Sequence, residues 1–306
     1  METEKKSEKN PDVLHYKAGD KVFIENAPFR FRHDVKGEFG CVEARGFVDT
    51  NRFDFRFELK DKNASRIKNE GITLVRLNKN GSNRAIRIYQ SGDVGNVHYL
   101  LTSRTGRCFA DVLKDLHNLE PYVYTHIVRE TFLSIQEIHE VNCAHFDIQP
   151  SSFSLSANTP SMIVFSGFTA TVRLKLVQDY DKEKKVRIAQ PNRFTSRRQH
   201  KGQRLGIADD FESWIYMIYE VVHDKKLEWA TATNNLEMLY KKWLFLKEYT
   251  APPINKDAEK KIRYMIDVIW SCNAYNTADV DGVLSALIKE WYDTSYQNGK
   301  KMPWEK

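Results

Sequence analysis

Apolar residues recur at helical spacing along much of the second half of this chain. From Tyr122 to Glu140, Ile127, Val128, Phe132, Ile135 and Ile138 fall on one face, which predicts an amphipathic helix with a core stripe. The run Asp209 to Glu220 is apolar on most sides and predicts a central buried helix. Ile262, Met265, Ile266 and Ile269 form a further stripe. Ala278 to Trp291 predicts a closing helix that buries Val280, Val283, Leu284, Leu287, Ile288 and Trp291. Thr277 is its candidate cap, and Asp279 and Asp281 place acid in its first turn.

The first third has a different rhythm. Asp54 to Lys60 alternates with period two, as a strand does, and Val97 to Leu101 is a short buried strand. Between them a helical pattern starts at Arg66 and continues through Leu74 and Leu77. A turn at Ser103–Gly106 leads to a short helix over Asp111–Leu116, and Met162–Phe165 is another apolar strand. The pattern therefore predicts an α+β chain. Residues 1–15 form a polar tail, 16–102 a small strand-rich part with one helix, and 103–306 a larger, mainly helical part.

Composition narrows the class. An apolar fraction of 41% is enough for a core and too high for a disordered chain. The 4 cysteines lack Cys-x-x-Cys spacing and read as reduced thiols. The charged start has no apolar signal region, and the longest apolar run, Trp214–Tyr219, is too short to cross a bilayer. These features give a cytoplasmic or nuclear expectation. Net charge is +6, and from Thr171 to Arg204 eleven Lys/Arg stand against three Asp/Glu. Such a patch attracts acidic or phosphorylated protein partners, or is simply a solvated basic loop. No aromatic-rich module accompanies it, which argues against nucleic acid.

The candidate chemistry sits in Ala144-His145-Phe146-Asp147-Ile148-Gln149-Pro150-Ser151-Ser152-Phe153, between a helix and a strand. It resembles the protein-kinase catalytic loop H-R-D-x-K-P-x-N-F, most closely in the casein kinase 1 superfamily, which includes the tau-tubulin kinases and nematode relatives. Asp209-Asp210-Phe211-Glu212-Ser213-Trp214-Ile215-Tyr216 resembles the D-D-x-E-S-x-x-Y helix of the same family. Arg193-Phe194-Thr195-Ser196 is similar to its R-Y-A-S, and Asp34 to Val42 to a glycine-rich loop with Val35 at the first glycine position. Over residues 20 to 295 the resemblance implies a two-lobed kinase fold: a small antiparallel sheet with one helix, then a larger helical lobe.

It also implies roles. Asp147 would accept the substrate hydroxyl proton. Gly37, Gly40, Val42, Lys60 and Glu70 would surround ATP, with Lys60 and Glu70 paired. The alternative is a strand-end lysine and a helix-surface glutamate. Arg193 would bind an anion, or else pair with a nearby carboxylate. His145 and Asp210 would be structural, with Asp210 tying the loop backbone to its helix.

The departures concern metal and phosphate. Phe146, Gln149 and Ser152 replace Arg, Lys and the metal-binding Asn. The metal-binding Asp of D-F-G would fall at Phe165 or Ser166, depending on register, and no Asp or Glu occurs from Ile148 to Gln178. Mg²⁺ is usually held through carboxylates and phosphate oxygens. The expected metal ligands in this segment are therefore none, with ATP an open cofactor. The favoured expectation is a pseudokinase acting as a protein-binding, scaffold or regulatory module. The alternatives are a weakly active serine/threonine kinase acting on acidic or primed substrates, and a fold that binds nucleotide without Mg²⁺.

Overall fold

The computed structural model describes residues 14–24, 27–32, 35–37, 39–46, 52–60, 66–174, 191–224, 226–248, 256–271 and 278–305. The chain divides into two compact units. One comprises residues 1–75 and 86–104; the other comprises 76–85 and 105–306.

The first unit contains β1 (Leu14–Tyr16), β2 (Lys21–Ile24), β3 (Ala27–Phe31), β4 (Val35–Gly37), β5 (Phe39–Gly46) and β6 (Arg52–Leu59). Most of helix α1 (Arg66–Lys79), then β7 (Ile88–Val94) and β8 (Val97–Ser103), complete it. Six strands form one antiparallel sheet in the order β2-β3-β5-β6-β8-β7. β1 pairs with β4, so a strand starts inside the expected tail; Leu14 lies opposite Gly37 and Tyr16 opposite Val35.

The alternation on β6 builds the core of this sheet. Phe55 and Phe57 are buried with Phe29, Phe31, Val97, Tyr99 and Leu101. Phe55 stacks on Tyr99 at 5.7 Å and meets Phe31 edge-on at 5.1 Å, the offset geometries aromatic rings prefer. Helix α1 approaches β8 closely at Gly71, where a Cβ would stand 2.9 Å from a Leu100 methyl. Any larger residue there would have to displace the Leu100 side chain.

The second unit begins at residue 76. Its first segment is tied down by Arg84, whose guanidinium pairs with Glu130, and by Glu137, which accepts hydrogen bonds from Ser82 Oγ and Arg84 N. β9 (Thr105–Cys108), α2 (Phe109–Lys114) and α3 (Pro121–Glu140) follow. Next come β10 (Cys143–Ala144), a 3-10 turn (Pro150–Ser152), β11 (Phe153–Ser156), β12 (Ile163–Phe165) and β13 (Val172–Arg173). The remainder is α4 (Arg197–His200), α5 (Ile207–His223), α6 (Asn235–Glu248), α7 (Lys256–Ser271) and α8 (Ala278–Ser295).

All five stripe residues of α3 are buried, and α5 is buried from Ala208 to Tyr219. Trp214 Nε1 donates to Thr131 Oγ1 at 2.9 Å, so the indole nitrogen is satisfied within the core. On α8, Val280, Leu284, Ile288 and Trp291 face inward, whereas Val283 is exposed. That helix buries a narrower stripe than its composition predicts, and its candidate cap Thr277 lies outside the described residues. Past α8, Met302 is buried and Trp304 Nε1 donates to the Pro160 carbonyl at 2.9 Å. Among the described residues no helix is long and apolar enough to cross a membrane.

Candidate functional site

The loop after α3 is held from beneath by α5. Asp210 is fully buried on the first turn of α5. Its Oδ2 accepts from His145 N at 2.7 Å and its Oδ1 from Phe146 N at 2.7 Å. His139 Nε2 lies 3.0 Å from Oδ2. These bonds hold Phe146 at φ +58°, in the left-handed region that a bulky side chain rarely adopts. The Phe146 carbonyl accepts from Gln199 Nε2 at 3.0 Å. Its ring is buried with Ala144 and Leu205, and Val172 and Leu174 pack against that cluster. An apolar contact thus occupies the position where an arginine would carry charge.

His145 lies inside the loop. Its Nδ1 accepts from Asp147 N at 3.3 Å, so the ring proton belongs on Nε2, which faces the Gly167 carbonyl at 2.5 Å. Asp147 is half-buried. Its Oδ1 accepts from Gln149 Nε2 at 2.8 Å and from Asn192 Nδ2 at 3.3 Å. Burial raises the pKa of Asp147; His145 and the two amides oppose that shift. The sequence reading did not single out Asn192, because its place beside Asp147 depends on where the later segment returns.

The residues at the expected metal position turn away from that task. Ser152 is buried, and its Oγ donates to the Asp147 carbonyl at 2.5 Å. Phe165 is fully buried, stacked between His145 at 4.7 Å and Phe153 at 4.3 Å, with Phe168 at 5.8 Å. Ser166, the other register candidate, accepts from Ser154 Oγ at 2.9 Å, and its N–H donates to the Ser152 carbonyl at 3.0 Å. Rings and internally bonded hydroxyls do not fit the carboxylate-rich set that Mg²⁺ takes.

In the first unit the expected partner of Glu70 is corrected. Arg56 Nη1, not Lys60, pairs with Glu70 Oε1 at 2.5 Å, with both side chains buried or nearly so. Lys60 lies beyond the end of β6 and pairs instead with Asp93 at 3.4 Å on the surface. The geometry explains the exchange. Glu58 accepts from Ile67 N at 3.1 Å at the start of α1, so the strand end meets the helix start. Glu70, one turn further along α1, therefore meets Arg56, one strand repeat earlier. The alternation carried a signal for this, since Arg56 shares the face of Glu58 and opposes the phenylalanines. Gly37 ends β4, and Gly40 and Val42 lie in β5 opposite Phe57 and Phe55. Residues 34 and 38 of the expected glycine-rich loop lie outside the described residues.

Three arginines of the basic segment are paired with acids of α5. Arg193 forms a fork on Glu220, with contacts of 3.0, 3.2 and 3.1 Å, so its expected anion position is filled by a carboxylate of its own chain. Arg197 pairs with Glu212 at 3.0 Å and Arg198 with Asp209 at 3.2 Å. Each arginine takes one acid of α5. Burial pushes Asp209 up to about 6, against the opposing pull of Arg198. Lys242 is fully buried nearby, donating to the Thr195 carbonyl with His200 Nε2 at 3.0 Å, and burial pulls its pKa down to about 7. Beside Arg193 lies a cavity of about 400 Å³, lined by Leu113, Pro150, Met217, Glu220 and Lys226. The cations of the segment between residues 175 and 190 lie outside the described residues.

Comparison with known proteins follows this geometry. The fold matches the structure of vaccinia related kinase 3, with a TM-score of 0.67 over 90% of this chain and 91% of that one, at 14% identity. The chain has the two-lobed protein-kinase fold. Two Caenorhabditis elegans proteins, named provisionally as serine/threonine-protein kinases, are also similar. ZK507.1 is 26% identical over 56% of this chain, and ZK507.3 is 27% identical over 42%. The chain spans 50% of the first relative's length and 31% of the second's in these matches. No family model matches. The similarity supports a kinase-like protein.

Proposed function

We propose that this chain is a casein kinase 1-like pseudokinase: a kinase-shaped module that binds a protein partner and has lost efficient phosphoryl transfer. The observation that carries the reading is Phe165, whose buried ring stacks between His145 and Phe153 beside the loop that bears Asp147. Ser152 supports it, because its hydroxyl is engaged by the loop's own carbonyl. Metal contributions to a charged transition state are worth several kcal/mol, or at least about a thousandfold in rate. An acidic or phosphorylated protein is the favoured partner class, on the eleven Lys/Arg against three Asp/Glu from Thr171 to Arg204.

The second reading is a weakly active serine/threonine kinase that uses ATP. It is favoured by Asp147, which is half-buried rather than sealed and is oriented by two amides.

Thermal unfolding with ATP, with and without Mg²⁺, tests both readings. A ligand at a hundred times its Kd stabilises by about 2.7 kcal/mol, or roughly several degrees in Tm. No shift, or an equal shift with and without metal, supports the pseudokinase. A shift that requires Mg²⁺, together with phosphate transfer abolished by Asp147→Ala, overturns it in favour of the active kinase.

A further inference from the structure

Helix α6 is apolar on two sides but buried on one. Its inner side is fully engaged. Lys242 and Leu246 are buried, and Phe245 packs edge-on against Tyr219 at 5.0 Å, Trp229 at 5.4 Å and Tyr216 at 5.8 Å. Lys242 adds the polar tie to Thr195 and His200. These contacts anchor the helix without help from its outer side.

The outer side nevertheless carries Leu236, Tyr240 and Trp243, at positions i, i+4 and i+7, which are 78%, 59% and 39% exposed. The Tyr240 and Trp243 rings lie parallel within 21°, 6.5 Å apart, and the Lys247 ammonium sits 4.6 Å over the Trp243 ring. A helix apolar all round is normally buried all round. Clustered apolar exposure marks an interaction surface, and Trp and Tyr are the residue types that dominate such surfaces.

We propose that this outer stripe is a homodimer interface, occupied by α6 of a second copy of this chain. The charges around the stripe favour that occupant. Glu237 flanks its beginning and pairs with Lys241 at 2.7 Å, while Lys247 stands at its end beside Glu248. Each end of the stripe thus carries an acid and a cation, with no excess of positive charge to draw a polyanion or an anionic membrane. Two copies packed antiparallel about a two-fold axis bring Glu237 of each against Lys247 of the other. They also cover Leu236, Tyr240 and Trp243 on both. A two-fold interface requires such a self-complementary patch. The stripe spans about 10 Å of helix at 1.5 Å per residue. This inference goes beyond the pseudokinase reading and holds whether or not the chain transfers phosphate.

Sedimentation equilibrium of the full chain at concentrations up to about 200 µM tests it. The expected result is a reversible dimer that Tyr240→Lys and Leu236→Lys each weaken by about tenfold or more, equivalent to about 1.4 kcal/mol. Both positions are exposed, so the Tm of the diluted monomer should be unchanged, separating lost association from lost folding. Glu237→Lys should also weaken the dimer, and combining it with Lys247→Glu should restore it. A monomer at every concentration, or a dimer indifferent to Tyr240→Lys, overturns the proposal. In the first case the stripe faces a different protein or none; in the second, another surface joins the copies.

Discussion

Two aspartates lie close to the same loop and have opposite surroundings. Asp210 is sealed under the loop, and its carboxylate receives two backbone N–H groups with His139 alongside. Asp147 is half-buried on the loop itself and receives two side-chain amides. The groups around Asp210 hold the backbone in a strained shape, and all of their chemistry is internal to the fold. The groups around Asp147 are those that would face metal and phosphate in a kinase. There Gln149 and Ser152 have turned to bonds within the loop, and Phe165 to an aromatic stack. The contrast separates the part of the kinase pattern that folds the chain from the part that performs chemistry. In this chain the Asp210 anchor is made, while Gln149, Ser152 and Phe165 are engaged by the loop and by the aromatic rings beside it.

The largest test of this contrast is Asp210→Ala. It leaves two buried N–H groups without acceptors, and breaking a buried charged network costs about 3–5 kcal/mol. Urea denaturation should show a loss near the upper end of that range; a loss below about 1 kcal/mol would mean that the loop does not depend on Asp210. Phe165→Ala comes next, at about 3 kcal/mol for a buried ring removed from a packed stack. Near-neutral behaviour there would break the claim that this position now serves packing.

Lys242 gives an effect that depends on pH. Its ammonium is depressed from 10.5 to about 7 in the folded chain, chiefly by burial, with Arg197 adding to the shift and Glu212 opposing it. For a depressed group the stabilising contribution is present above 10.5 and is lost as pH falls to about 7, below which it is flat. The stability of wild type relative to Lys242→Met should therefore rise with pH across that window, by at most about 1.4 kcal/mol per unit. A difference independent of pH would show that Lys242 keeps its ordinary pKa. The smallest effect belongs to Arg193→Ala. Its pair with Glu220 is partly exposed, and such pairs contribute about 0–1 kcal/mol. A loss above about 2 kcal/mol would show that the Arg193 fork is a structural brace rather than a surface pair.

Much of the fold was legible because burial follows periodicity. The α3 stripe and the all-round apolar α5 are continuous local patterns, and they appear in the structure at the expected residues. The position of Asp147 was legible in the same way, from a short motif between a helix and a strand. The pairing of Glu70 was not. Both Arg56 and Lys60 are cations at the same parity along one alternating stretch, and choosing between them requires the distance to a helix one connection away. The segment from Arg193 to Arg198 was misleading in a related way. Counting charge along the chain finds a basic patch, but the compensating acids lie on α5, and only the tertiary approach brings them together.

By itself, then, the sequence determined helices α1, α3, α5, α7 and α8, strands β6, β8 and β12 and most of their buried stripes, because side-chain periodicity and backbone geometry act within a few residues. It also determined that no carboxylate stands between Ile148 and Gln178, since that is a matter of composition alone. Tertiary structure alone decided which cation meets Glu70, which acids quench the arginines, and that Ser152 donates inward while Phe165 fills a stack. Those outcomes depend on groups far apart in the chain reaching hydrogen-bond or van der Waals distance. Such distances are set by how whole elements pack, and no local pattern encodes them.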